Sequence, residues 1–264
     1  MTPHTKAELL LEAQDVSLRY GTRLILRDIN LRLHNITRPG LQQGQVVSLI
    51  GRSGVGKTQL FKLLSGLQAP STGTIRLQDG RPVKAGDMGV IFQNYYLFPW
   101  RTLHQSLLLA ARMNPQLKGT EKEAVEKYAA DFGLAAHLQQ YPQQLSGGQR
   151  QRASIIQQLL KGSDFLLLDE PFSGLDVCVL DKVTDLLRQV SLSDEWKTLV
   201  IVSHDIATAT ALSDTVFILG REEGLPGATI KKEIDLVERG LAWQRDIKTQ
   251  TAFTNTLEEI KKYL

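Results

Sequence analysis

Val46-Val47-Ser48-Leu49-Ile50-Gly51-Arg52-Ser53-Gly54-Val55-Gly56-Lys57-Thr58 is the stretch that decides the fold. Its apolar start, Val46 to Ile50, is too short for a helix and reads as a buried strand. A glycine-rich loop follows and leads into helix-compatible sequence, which is the context a phosphate-binding P-loop requires. The glycines let successive backbone N–H groups point into one concavity, and the helix N-terminus adds partial positive charge. Gly51, Arg52, Ser53, Gly54, Val55, Gly56, Lys57 and Thr58 are therefore the candidate phosphate cradle, with Lys57 reaching the β and γ phosphates and Thr58 ligating Mg²⁺.

Outward from this stretch, Met88 to Phe92, Phe165 to Leu168 and Leu199 to Val202 are further short apolar runs separated by helix-like segments. They predict a parallel sheet covered on both faces. Ahead of them, Leu9 to Tyr20 and Arg23 to Leu33 flank Gly21 and read as an antiparallel pair. Between Leu103 and Gln144 no buried strand is expected. There Thr120 and Glu123 form a capping-box pattern ahead of a helix carrying Val125, Tyr128, Ala129 and Phe132, with Gly133 as its stop. This helical lobe ends near Tyr141-Pro142, since a proline disfavours helix at the residue before it. The expected class is α/β: a P-loop core with a parallel sheet, an N-terminal antiparallel β subdomain and an inserted α-helical subdomain. The expected division is a domain over 9–230, with the lobe over about 100–160, and a helical tail over 231–264.

A chain of 264 residues can bury a sizeable core without disulfides, and its single cysteine, Cys178, is expected to pack as a small hydrophobe in a reducing compartment. The net charge is +3, and the basic residues are scattered, with pairs such as Lys231-Lys232 as the longest runs. That pattern is a solvated surface, so no nucleic-acid partner is expected. Neither a secretory signal nor an apolar run of transmembrane length is found.

Two further clusters carry chemistry. Asp169-Glu170 follows the run Phe165 to Leu168, placing two carboxylates at the C-terminal edge of a central strand, where α/β sheets bind ligands. Asp169 would hold Mg²⁺ through its water shell, and Glu170 would orient and deprotonate an attacking water. Leu145-Ser146-Gly147-Gly148-Gln149 precedes helix-compatible sequence, so Ser146, Gly147, Gly148 and Gln149 form a second candidate anion site at a helix N-terminus. Alone, such a segment would read as a flexible loop. Beside a P-loop it suggests a nucleotide contacted from two sides.

In this combination, residues 9 to 230 resemble the ATPase subunit of ATP-binding cassette (ABC) transporters. The resemblance implies ATP and Mg²⁺ as ligands. It places Tyr20 where an aromatic stacks on adenine, and Gln93 where a glutamine reaches Mg²⁺ and senses the partner. Ser173-Gly174-Leu175-Asp176 resembles the loop joining the two halves, and His204 the switch that contacts the γ phosphate. It also implies a head-to-tail pair formed with a second copy or a homologous ATPase subunit, in which Lys57 of one subunit and Ser146 of the other enclose the same ATP.

The family relationship further implies solute import through separate transmembrane permease subunits, an extracytoplasmic solute-binding protein, and a peripheral location on the cytoplasmic face of the inner membrane. Gln93-Asn94-Tyr95-Tyr96-Leu97-Phe98-Pro99-Trp100 is similar to the permease-docking region of importers, the alternative being aromatic core filling. Phe98-Pro99-Trp100 and Glu238-Arg239-Gly240-Leu241-Ala242-Trp243 are most similar to the nitrate, sulfonate and taurine importer subgroup.

Departures from the family pattern are the long segment Asn35 to Gln43, and Gln157 and Asp181 where arginines are common. A soluble ABC ATPase acting on DNA or ribosomes would usually carry a long coiled coil, zinc-binding cysteines or a tandem cassette, and none is found. A sensor without turnover conflicts with the presence of both Glu170 and His204.

Overall fold

The structure, a computed structural model, describes residues 5–37, 44–173, 177–192, 197–244 and 246–264. Gly174, Leu175, Asp176 and the Cys178 side chain lie outside this description, as do residues 38–43 of the long segment before the P-loop strand.

Strands β1 (Thr5–Tyr20) and β2 (Arg23–Thr37) pair antiparallel across the turn at Gly21, whose φ of +58° suits glycine. Strand β3 (Gln45–Ile50) is buried at all six positions and leads into helix α1 (Lys57–Leu64). Strand β4 (Thr72–Leu77) covers the free edge of β1, and β5 (Gly89–Ile91) forms the opposite edge of the sheet. The remaining strands are β6 (Phe165–Asp169), β7 (Thr198–Ser203), β8 (Thr215–Arg221) and β9 (Ala228–Asp235). All nine join one sheet in the order β4-β1-β2-β9-β8-β3-β7-β6-β5. Strands β8, β3, β7, β6 and β5 run parallel, as the four apolar runs predicted.

Successive residues of the central strands enter different cores. Val46 and Ile50 of β3 pack with Leu166, Leu168 and Ile201 on one face, whereas Val47 and Leu49 pack with Leu167, Val200 and Val202 on the other. Both faces are thus dry, which is why these strands read as unbroken apolar runs.

Helices α2 (Leu103–Arg112), α3 (Glu121–Asp131) and α4 (Gly147–Leu160) make the lobe, with a third core of its own around Leu107, Ala111, Val125, Ala129, Ile156 and Leu160. Gly133 does follow α3 at a φ of +66°. The capping box expected at Thr120 does not form: its hydroxyl turns back to the Leu117 carbonyl at 3.2 Å, and Glu121 rather than Glu123 accepts from Gly119 N. Reciprocal boxes form instead at Thr102/Gln105 and Ser146/Gln149.

Helices α5 (Val177–Ser191) and α6 (Ile206–Leu212) complete the core, and α7 (Thr251–Lys262) docks Phe253 and Ile260 into it. The expected boundary between residues 230 and 231 falls inside β9, because the β8–β9 ladder continues to Asp235. The tail after it is turns, one 3-10 turn and α7, so it is helical only at its end.

Candidate nucleotide-binding site

The C-terminal ends of β3, β6 and β7 lie side by side, because these strands are parallel neighbours. They deliver the P-loop, Asp169-Glu170 and His204 to one edge of the sheet. Gly51 is required by close approach: a Cβ there would sit 2.6 Å from Leu219 O and 2.9 Å from Val55 Cγ1. Gly56 begins α1 with a φ of 121° and no side-chain cap. Among the described residues no protein acceptor is found for the backbone N–H of Gly54, Gly56, Lys57 or Thr58, so the loop offers unpaired donors.

These donors open on a cleft of about 410 Å³ lined by Ser53, Gly54, Gly56, Lys57, Thr58, Gln93, Glu170 and His204, together with Ile25, Gln59 and Ser173. Lys57 Nζ donates to Gly51 O at 3.0 Å and Arg52 O at 3.3 Å, and stands 3.4 Å from Glu170 Oε1. Glu170 Oε2 is 2.7 Å from His204 Nδ1 and accepts from His204 N at 3.2 Å. The Glu170 backbone has a φ of +51°, held by its N–H donating to Val202 O at 2.8 Å. Gln93 Nε2 donates to Ser173 Oγ at 3.2 Å, which ties the strand β5 exit to the segment after β6.

Asp169 is buried at the end of β6, and its Oδ1 has no hydrogen-bond partner. Burial, and then the charge of Glu170, hold its carboxyl above the usual carboxylate range, although a Thr58 hydrogen bond and Lys57 pull the other way. A buried carboxylate oxygen without a donor, beside a threonine hydroxyl, is the donor set a hard divalent cation needs. The residues present therefore fit Mg²⁺.

Other expected residues are placed around this centre. Gly51 and Val55 are buried beneath the loop, and Arg52 faces a separate cleft that it shares with Arg221 and Leu264. Tyr20 is half exposed and does not line the first cleft, but its hydroxyl lies 2.8 Å from Oε1 of Gln59, which does. Ser146, Gly147, Gly148 and Gln149 form the exposed to half-buried N-terminus of α4 and line no part of the cleft. One chain thus presents one complete phosphate cradle and one separate helix end.

Ile25 and Gln59 are lining residues that the sequence reading passed over. Gln59 sits two residues after Lys57 and could have been found by following α1 past the motif. Ile25 is an ordinary strand residue brought in by the β2 fold, with no local signal. The aromatic stretch is surface: Tyr96 is 70% and Trp100 69% exposed, which rules out core filling for these two rings. Phe98 stacks against Trp100 with centroids 5.4 Å apart.

A phosphate-binding loop, a buried cation-seeking aspartate and a glutamate–histidine pair define a P-loop nucleoside triphosphatase. A family model described as ABC transporter matches residues 34–173. Over 184 residues the chain is 37% identical to an uncharacterized ABC transporter ATP-binding protein, YtlC of Bacillus subtilis (strain 168), covering 69% of this chain and 70% of that one. It is 37% identical over 209 residues to the aliphatic sulfonates import ATP-binding protein SsuB 1 of Xanthomonas axonopodis pv. citri (strain 306), covering 78% and 79% of the two chains.

Among solved structures, the ATP-binding subunit of an ABC transporter superposes with a TM-score of 0.69 at 24% identity, covering 96% of this chain and 99% of that one. A dimeric ATP-binding cassette bound to ADP and Pi superposes with a TM-score of 0.67 at 23% identity, covering 86% and 99%. The chain belongs to the ABC transporter family, as an ATP-binding subunit that hydrolyses ATP to drive transport.

Proposed function

We propose that this subunit energises import of a small anionic solute through separate permease subunits, by closing head to tail on ATP with a second copy or a homologous ATPase subunit. The observation that carries the reading is the split just described: Lys57, Glu170, His204 and Gln93 converge on one cleft, while Ser146 and its neighbours lie outside it. A nucleotide seated on one chain leaves its γ phosphate facing outward, where the α4 N-terminus of a partner can cover it.

In this reading Tyr20 packs on adenine, and the free N–H groups of Gly54, Gly56, Lys57 and Thr58 grip the β and γ phosphates. Lys57 exchanges its contacts with the Gly51 and Arg52 carbonyls for phosphate oxygens, a stronger charge-assisted pairing. Thr58, Asp169 and Gln93 hold Mg²⁺, which when bound offsets phosphate charge and orients the γ phosphate. Glu170 takes the proton of the attacking water, and His204, already hydrogen-bonded to it, turns toward the γ phosphate. Asp176 and the loop it ends contribute from the partner side. The lobe over about 100–160 carries Leu145 to Gln149, the signature segment of this reading, and moves with the permease, while residues 231–264 complete the body rather than the site.

Transport partners follow from the same reading. No helix among the described residues is long and apolar enough to cross a membrane, so the pore is assigned to permeases and this subunit to their cytoplasmic side. An extracytoplasmic binding protein would select the solute. Relatives named for aliphatic sulfonates, nitrate and bicarbonate import, 34 to 37% identical to this chain, support an anion as cargo.

The exposed Tyr96, Phe98 and Trp100 are the socket for a short permease helix. Co-expression with the candidate permeases tests this: the native subunit is retained by them, and Trp100→Asp is lost from the complex with its melting temperature and ATP binding unchanged. Retention of Trp100→Asp at native levels would refute the socket, and absence of ATP-dependent anion uptake by the native complex would refute the importer.

A further inference from the structure

Gln149 caps its own helix. Its Oε1 accepts from Ser146 N at 2.7 Å, and its backbone N–H donates to Ser146 Oγ at 3.2 Å. The amide oxygen being so engaged, Nε2 is the NH₂ end and can only donate. It lies 3.0 Å from Nε2 of His137. That imidazole nitrogen must therefore accept, which puts the ring hydrogen on Nδ1, 3.1 Å from Gln140 Oε1. One neutral tautomer satisfies every group in the chain Gln140–His137–Gln149–Ser146.

The ring is also held in place. His137 ends a 3-10 turn, Ala135–His137, whose exit is tied to the start of α2: Leu103 N donates to Gln140 O and His104 N to Leu138 O, both at 2.8 Å. The imidazole is half-buried. Arg150 of α4 donates to Leu145 O. No carboxylate lies within ion-pair distance of His137 among the described residues.

We infer that His137 is a positioning residue for the ATPase reaction: by accepting from Gln149 it fixes which end of that amide faces Ser146, and so sets the geometry with which the α4 N-terminus meets a partner's ATP. The inference rests on the reading of Ser146 to Gln149 as the surface that closes on the second subunit's nucleotide. Without an acceptor at residue 137 the Gln149 NH₂ loses its partner and the amide has no preferred orientation. Nucleotide binding in the Lys57 cleft does not involve this chain of bonds.

The test compares His137→Phe, which offers no acceptor, with His137→Gln, whose carbonyl can accept from Gln149 but cannot titrate. In the purified subunit His137→Phe should lower kcat about three- to tenfold, the scale of one lost hydrogen bond, and leave KM for ATP within about twofold. His137→Gln should restore kcat to within about twofold.

Melting temperatures identify any variant that is merely unfolded, and His137→Gln then stands as the deciding comparison. A native kcat in folded His137→Phe, or a rate in His137→Gln as low as in His137→Phe, would overturn the inference. If Ser146→Arg also left turnover unchanged, the signature reading itself would fall, and this inference with it.

Discussion

Two helices of this chain carry the proposed nucleotide contacts, and their N-termini are finished in different ways. Helix α1 starts at Gly56 with no side-chain cap and with unpaired N–H groups aimed into the cleft. Helix α4 starts at Ser146 under a reciprocal capping box that pairs Ser146 N and Gln149 N, while among the described residues no acceptor is found for the N–H of Gly147 or Gly148. The first is set on the rigid edge of a parallel sheet, the second at the exposed end of a lobe with a separate core. On the proposed function, the first site is open to ligand in the single chain, whereas the second trades the Ser146–Gln149 cap for phosphate contacts when a second chain brings a nucleotide. Opening a cap of this kind costs about 1 kcal/mol, small beside charge-assisted contacts to a triphosphate.

The strongest way to break the comparison is to stop the chemistry with both sites engaged. Glu170→Gln should slow hydrolysis by roughly 10² to 10⁴-fold, the range of a lost general base, while ATP binding survives. With ATP that variant should dimerise by light scattering, and adding Ser146→Arg should prevent it, because the arginine fills the space the phosphates need. A double variant that still dimerises would mean that the capped helix end is not half of the site.

Removal of charge at the open end comes next. Lys57→Ala should weaken equilibrium binding of a labelled ATP analogue about 10- to 100-fold, whereas Ser146→Arg should leave binding to the single chain within about threefold. Equal losses in the two variants would erase the distinction between an open and a closed terminus.

The smallest effect concerns the cation seat beside α1. The folded Asp169 carboxyl is held above its unfolded range, chiefly by burial. A group raised in this way favours the fold below the unfolded carboxylate range and loses that contribution as pH rises through the folded one. At neutral pH Asp169→Asn should therefore raise the melting temperature of the nucleotide-free chain, by about 2 to 4 °C for each 1 kcal/mol recovered. It should abolish the Mg²⁺ dependence of ATP binding. An unchanged or lowered melting temperature would show that Thr58 and Lys57 already compensate the charge.

The sequence carried the sheet because each central strand is dry on both faces, so apolar runs such as Val46 to Ile50 had one sensible reading. It carried the P-loop because glycine spacing and a following helix are both local. The Thr120 cap failed since a hydroxyl can choose between the next turn and the preceding carbonyl, and Leu117 O won. The same T-x-x-Q and S-x-x-Q pattern was legible at Thr102 and Ser146 and went unread. Contacts that no local pattern encodes, such as Gln93 with Ser173 or Tyr20 with Gln59, depend on where β5, β6 and β1 end in space. The continuation of β9 past residue 230 is hidden for a related reason: Lys231 to Glu233 look like surface because β9 is only partly covered.

Glu170 sits at a φ of +51°, in a region where a Cβ-bearing side chain of its length is at a disadvantage of about 1 to 2 kcal/mol relative to glycine. That has a consequence for laboratory evolution. A library selected only for survival at high temperature is pulled two ways at this position: glycine or asparagine relieves the backbone, but removes the carboxylate that stands 3.4 Å from the buried Lys57 ammonium and 2.7 Å from His204 Nδ1. On the general-base role proposed for Glu170, any glycine or asparagine variant that did win would be a durable protein that no longer turns over. Any campaign to harden this subunit must therefore score turnover in the same round as survival, or it will enrich for durable but inactive chains.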